Sequence, residues 1–190
     1  LSRGESHTEP TISRHTISQQ PKQETRMSDL EDLYREIILD HYRSPRNRGE
    51  LPVPPASKAE GFNPLCGDEI VVYLLLDDPS RGDEAVVDDI AIGGQGCSIS
   101  QSSASMMSAA VKGRTVGEVK ELSRSFKAMM SIHEGELDGE PVEQALDGAQ
   151  PGSTLGDLEA LRGVVKFPVR IKCATLSWNT LAESLEQATA

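Results

Sequence analysis

The chain has 190 residues, 37% hydrophobic and 4% aromatic, with a formal charge of -11. That length suits one domain with a buried core. The charge excludes nonspecific attachment to nucleic acid or to an anionic membrane, and favours partners that present basic surface. The apolar run through Val71 to Leu76 is far too short to cross a bilayer. Three cysteines, Cys66, Cys97 and Cys173, do not make a disulfide framework at this length. Their odd number leaves at least one thiol free and fits a reducing, cytoplasmic setting. No stretch shows the charged-then-apolar pattern of a secretory signal.

Residues 1–26 are polar and aperiodic, so they read as a disordered leader, with Met27 as the expected start of the folded unit. His7 and His15 fall in this leader and are set aside as ligands. Ser28 and Glu31 form a capping-box pattern that predicts a helix start. Leu30, Leu33, Tyr34, Ile37 and Ile38 then share one helical stripe, and Pro45 ends the helix. The segment His41 to Gly49 is locally basic. It reads either as cations favoured near a helix C-terminus or as a docking surface.

Leu51 to Ala59 holds three prolines and reads as an ordered connector. A strand is expected at about Lys58 to Phe62. Asn63-Pro64-Leu65-Cys66-Gly67-Asp68 is turn chemistry, and it sets a thiol and a carboxylate two residues apart. Glu69 to Leu76 and Ala85 to Ile92 read as a strand pair joined by a turn at Asp77 to Gly82. Gly93-Gly94-Gln95-Gly96 then delivers Cys97 to a helix at about Ser98 to Lys112, stopped by Gly113. The glycines lack the Lys-Ser/Thr of a phosphate-binding loop.

Thr115 and Glu118 form a second capping box, followed by an apolar face of Val116, Val119, Leu122, Phe126 and Met129. Ser131 to Gly152 is acidic and glycine-rich, an expected loop or insert with a helical turn near Val142 to Leu146. Leu155 to Val164 reads as helical. Phe167-Pro168 starts a final helix, with Ile171, Ala174, Trp178, Leu181 and Leu185 on its buried stripe. This order predicts an α+β domain: a small antiparallel sheet of about three strands packed against several helices.

Each cysteine sits at a controlled backbone junction. Cys66 is on a turn, Cys97 at a glycine-to-helix junction, and Cys173 early in a helix, where amides lower a thiol pKa. Three thiols and Asp68 would suit tetrahedral Zn²⁺, leaving negative charge for Arg170 and Lys172 to compensate. Spacing alone leaves open that each thiol is simply a small buried hydrophobe. His41 and His133 are competing ligands, but His41 suits a structural or partner-contact role and His133 a solvated one.

Several longer motifs, in order, resemble the SufU-type proteins of the NifU N-terminal-like iron–sulfur assembly superfamily. They are Leu33 to Tyr42, Asn63 to Asp68, Gly96 to Ser100, Ser103 to Met107 and Lys166 to Trp178. The resemblance covers 27–190. Cluster scaffolds resembling IscU carry His before the last cysteine, where this chain has Lys172. Extra residues also lie between the second and third cysteines, within about 130–164. Both departures favour the SufU-type reading.

The resemblance implies the SufE/NifU (IscU-like) fold and one Zn²⁺ held by Cys66, Asp68, Cys97 and Cys173. It implies that Cys66 accepts persulfide sulfur from a SufS-like cysteine desulfurase, a PLP enzyme. A partner histidine that replaced Cys66 on zinc would free its thiolate. Arg170 would stabilise that thiolate or persulfide. Downstream Suf scaffold components are further expected partners. The alternative is a scaffold that assembles an iron–sulfur cluster on the same ligands.

Overall fold

The computed structural model describes residues 24–131 and 155–189. Helix α1 spans Glu24–Arg43. Three strands follow, β1 (Ser57–Asn63), β2 (Asp68–Leu76) and β3 (Val87–Gln95). They form one antiparallel sheet in the order β1-β2-β3. Helices α2 (Ser98–Val111) and α3 (Val116–Ser131) come next. A 3-10 segment at Gly156–Lys166 leads into the last helix, α4 (Pro168–Thr189). The architecture is the expected α+β.

The core is made where β2, the central strand, meets α2 and α4. Ile70, Val72, Leu74 and Leu76 alternate along β2 and are buried, as the pleat requires. Ala104, Met106 and Met107 of α2 join them, with Trp178 and Leu181 of α4. Phe126 of α3 stacks on Trp178 with ring centroids 4.8 Å apart. Helix α4 lies directly on β1 because Gly61 has no side chain there. A Cβ at Gly61 would run into the Thr180 hydroxyl.

Four local expectations change. Helix α1 spans Glu24–Arg43, so Ser28 lies within it and not at its start, and the helix reaches into the residues expected to be leader. Leu30 and Leu33 are exposed, and the buried side of α1 rests on the partly buried Tyr34, Ile37 and Ile38. Second, β3 begins at Val87, because Val86 turns away to bridge Thr115. The link from β2 is a pair of 3-10 turns across Gly82, whose φ is 58°, and the Gly93 to Gln95 stretch belongs to the strand.

Third, Gly156–Lys166 is a 3-10 segment where an α-helix was expected. Its buried residues Leu158, Leu161 and Val164 recur every three positions, which matches three residues per turn. Fourth, part of the basic segment after α1 is fastened to the rest of the fold by hydrogen bonds. The Arg46 amide donates to Ser105 Oγ at 2.8 Å, and Arg48 Nη2 donates to the Gly94 carbonyl at 2.9 Å. Arg43 is exposed. His133 and the turn expected near Val142 to Leu146 lie outside the described residues.

A candidate metal centre at the end of the sheet

Strand register brings the site together. Asn63 pairs with Asp68, so Pro64, Leu65, Cys66 and Gly67 form the loop of the β1-β2 hairpin. Gly67 has a φ of 65°, a conformation that favours glycine. The amides of Cys66 and Gly67 both donate to the Asn63 carbonyl, at 3.3 and 2.9 Å. On the other side of β2, Glu69 pairs with Gln95. The chain leaving β3 therefore passes Asp68 as it enters α2. The Cys97 amide donates to Asp68 Oδ1 at 2.7 Å. Cys97 is the N-cap of α2, and its sulfur accepts from the Ser100 amide at 3.5 Å.

Cys173 comes from the second turn of α4 and is fully buried. Its Sγ lies 3.3 Å from that of Cys66. The donor atoms of Cys66, Asp68 and Cys173 all fall within 4.8 Å of one another. Cys97 stands beside this trio, with its sulfur 3.9 Å from Asp68 Oδ2. Three segments far apart in sequence thus place three thiols and one carboxylate at the end of the sheet.

The electrostatics suit a cation. Burial raises the Asp68 carboxyl, but the Cys97 amide and the surrounding thiol and hydroxyl donors outweigh it, and Asp68 ionises below the ordinary carboxylate range. Burial pushes the Cys173 thiol well above its ordinary value, and the neighbouring Asp68 and Cys66 add to this. The expected lowering from the start of α4 is overridden by desolvation. Such a pocket holds the Cys173 sulfur protonated unless a positive charge joins it. Soft thiolates with one carboxylate are a donor set that zinc accepts.

Arg170 is exposed at the head of α4, and its guanidinium faces the sulfurs. Its nearness to the Cys97, Cys173 and Cys66 sulfurs raises its affinity for its proton. Lys172 is also exposed but lines a different groove, with Phe62 and Leu65. His41 is buried away from the thiols, where its Nδ1 meets Ser105 Oγ at 2.8 Å and its Nε2 meets Asp157 at 3.0 Å.

Two residues without an assigned role from sequence join the site. Asn63 is buried, and its Nδ2 donates to Asp68 Oδ2 at 3.3 Å and to Cys173 Sγ at 3.5 Å. Ser100 supplies the amide that meets Cys97. Hydrogen bonds of this kind orient metal ligands and set their charge. The signal for Asn63 was its place five residues before Asp68, where a four-residue hairpin loop makes the two residues cross-strand partners.

Residues 33–174 match the family model for the NifU-like N-terminal domain. The zinc-dependent sulfurtransferase SufU of Bacillus subtilis is 42% identical over 158 residues, 83% of this chain and 92% of its own. The iron-sulfur cluster assembly scaffold protein IscU of Streptococcus pyogenes is 36% identical over 162 residues, 85% of this chain and 88% of its own. A crystal structure of a putative SUF-system scaffold protein from Fervidobacterium islandicum superposes with a TM-score of 0.59 at 30% identity, covering 79% of this chain and 94% of that one. The chain therefore belongs to the NifU-like N-terminal domain family.

Proposed function

We propose that this protein is a zinc-dependent sulfur acceptor of iron–sulfur cluster assembly. Its donor is the persulfide of a PLP-dependent, SufS-like cysteine desulfurase, and it passes the sulfur to later assembly components. Free thiols with this role fit a reducing, cytoplasmic setting. Zinc held by Cys66, Asp68, Cys97 and Cys173 would keep the sulfurs deprotonated and tie three segments together. The similarity to SufU, zinc-dependent by name, supports this reading.

One observation carries the choice of acceptor. Cys66 and Cys173 have sulfurs 3.3 Å apart, yet Cys173 is fully buried while Cys66 sits on a hairpin loop between the exposed Leu65 and Gly67. Cys97 is fastened as a helix cap. Of the three thiols, Cys66 is the one that can swing outward. Its thiolate attacks the outer sulfur of the donor persulfide. A sulfur–sulfur bond forms at Cys66, the donor's sulfur–sulfur bond breaks, and the donor cysteine leaves as a thiolate with no net oxidation. Arg170 faces the sulfurs and would steady the charge on Cys66.

The test supplies cysteine and the desulfurase of the same organism to protein of measured metal content. Zinc near one per chain and an added sulfur on Cys66 by mass spectrometry are expected. Normal relay by Cys66→Ala would sink the assignment. Stripping the metal with a chelator should lower Tm on the order of 10 °C, because a ligand bound far above its Kd contributes several kcal/mol.

A second reading, a cluster scaffold, is favoured by the similarity to the streptococcal IscU. It predicts a coloured, transferable cluster after anaerobic reconstitution with iron and sulfide. Lys172, where scaffolds resembling IscU carry histidine, weighs against it, since an ammonium is no ligand.

A further inference from the structure

The three thiols differ in what holds their sulfurs. Cys97 Sγ accepts from the Ser100 amide at 3.5 Å, and Cys173 Sγ accepts from Asn63 Nδ2, also at 3.5 Å. Among the described residues, no N–H makes a hydrogen bond to the Cys66 sulfur. Its contact is with the Cys173 sulfur at 3.3 Å, and that contact loses its hydrogen once both thiols are deprotonated. Arg170 faces all three sulfurs and so does not single one out. A thiolate that accepts an N–H is less basic, and a weaker nucleophile, than one that accepts none. Drawing it out of place also leaves a buried donor unpaired.

Asn63 makes this difference. It is 5% exposed, at the end of β1. Its Oδ1 accepts from the Leu65 amide at 3.3 Å, which fixes the sense of the side-chain amide. Nδ2 is thereby turned to Asp68 Oδ2 at 3.3 Å and to Cys173 Sγ. The Asn63 carbonyl accepts from the amides of Cys66 and Gly67. One residue thus anchors the loop that carries Cys66 and, by the other end of its side chain, two donors that stay behind. When the loop carries Cys66 outward, it pivots on a fixed point.

We infer that Asn63 is the positioning residue that reserves release for Cys66, by holding Cys173 and Asp68 in place and donating nothing to the Cys66 sulfur. The inference rests on the sulfur-acceptor reading and deepens it. Exposure of the loop lets Cys66 move. The distribution of N–H donors makes Cys66 the thiolate that moves without breaking such a bond, and leaves it the strongest nucleophile of the three.

Two measurements test this, both without the desulfurase. In wild-type protein loaded with an NMR-active cadmium isotope in place of zinc, an N–H bonded to a coordinated sulfur is scalar-coupled to the metal. Coupling is expected from the Asn63 side-chain amide and the Ser100 amide, and from no backbone amide of residues 65–68. In the second measurement, protein in excess zinc is treated with iodoacetamide. The thiolate displaces iodide, and mass spectrometry follows each cysteine. Asn63→Leu has the same branched shape and removes the donor. Its Cys173 should be alkylated on the order of tenfold faster than in the wild type, while Cys97, held by its own donor, keeps its rate.

Absence of coupling from the Asn63 amide would overturn the proposal, whether or not the variant folds. So would coupling of equal size from an amide of the hairpin loop. Cys97 and Cys173 speeding up together in Asn63→Leu would overturn it too, since the whole pocket would then have loosened. Failure of the sulfur-acceptor reading looks different: Cys66 would gain no persulfide from the desulfurase, while the couplings and the alkylation rates stayed as expected.

Discussion

The Asp68 carboxylate accepts a hydrogen bond from the Cys97 amide at 2.7 Å, and this one contact fastens the start of β2 to the cap of α2. Asn63 Nδ2 donates to the other carboxylate oxygen. Asp68 thus organises the pocket before any metal enters. Asp68→Ala would leave a backbone amide and a buried side-chain amide without their acceptor. It should lower the unfolding free energy of the metal-free protein by about 1–3 kcal/mol. Urea denaturation after chelation measures this, and an unchanged midpoint would show that water takes the place of the carboxylate.

Gly96 tests whether the pocket's shape matters as much as its donors. Its φ is 155°, and a Cβ there would stand 2.5 Å from Asp68 Oδ1 and 2.8 Å from Ser100 Oγ. Gly96→Ala keeps all four donors but pushes the carboxylate out of line. Zinc affinity should fall by about 10-fold or more, as for other changes just outside a metal's ligands. Competition with a chromophoric chelator reads this directly. Unchanged affinity would mean that Asp68 does not hold the metal.

Much of this was legible in the sequence because local chemistry decided it. The Thr115–Glu118 capping box, the proline opening α4 and the turn at Cys66 each depend on residues within a few positions. The meeting of Cys66, Asp68 and Cys173 was not readable from spacing, since strand register and the close approach of α4 over Gly61 create it. Motif order supplied what spacing lacked. The errors also have physical causes. The Ser28 cap was overridden by a helix that continues upstream, and the thiol at the head of α4 feels desolvation more than helix amides. Asn63 was read only as turn chemistry, because its role as a donor to Asp68 and Cys173 exists only across the hairpin.

His41 illustrates a structural histidine that could have been mistaken for a ligand. It is 2% exposed and sits between α2 and the 3-10 segment. Its Nε2 meets the Asp157 carboxylate and its Nδ1 meets Ser105 Oγ, which also accepts from the Arg46 amide. His41→Ala removes both bonds and leaves a cavity. It should cost about 2–3 kcal/mol. Thermal unfolding checks the stability, and metal analysis should show zinc retained. Loss of zinc from a folded His41→Ala protein would place the residue with the ligands instead.

The second capping box makes a prediction about acid. The Thr115 amide donates to Glu118 Oε2 at 2.8 Å, the Thr115 hydroxyl donates at 3.1 Å, and the Glu118 amide donates back to Thr115 Oγ1 at 3.3 Å. The Thr115 amide first, and its hydroxyl second, hold the Glu118 carboxyl below its ordinary value near 4.5. A carboxyl lowered by folding contributes stability that is complete above its unfolded pKa. That contribution is lost as pH falls through the folded value. Stability should therefore decline with acid from about 4.5 downward, partly through this group. Glu118→Gln, which accepts without a charge, should make that part of the pH profile flatter. A carboxyl titration by NMR that places Glu118 at or above its ordinary value would remove the basis for this expectation.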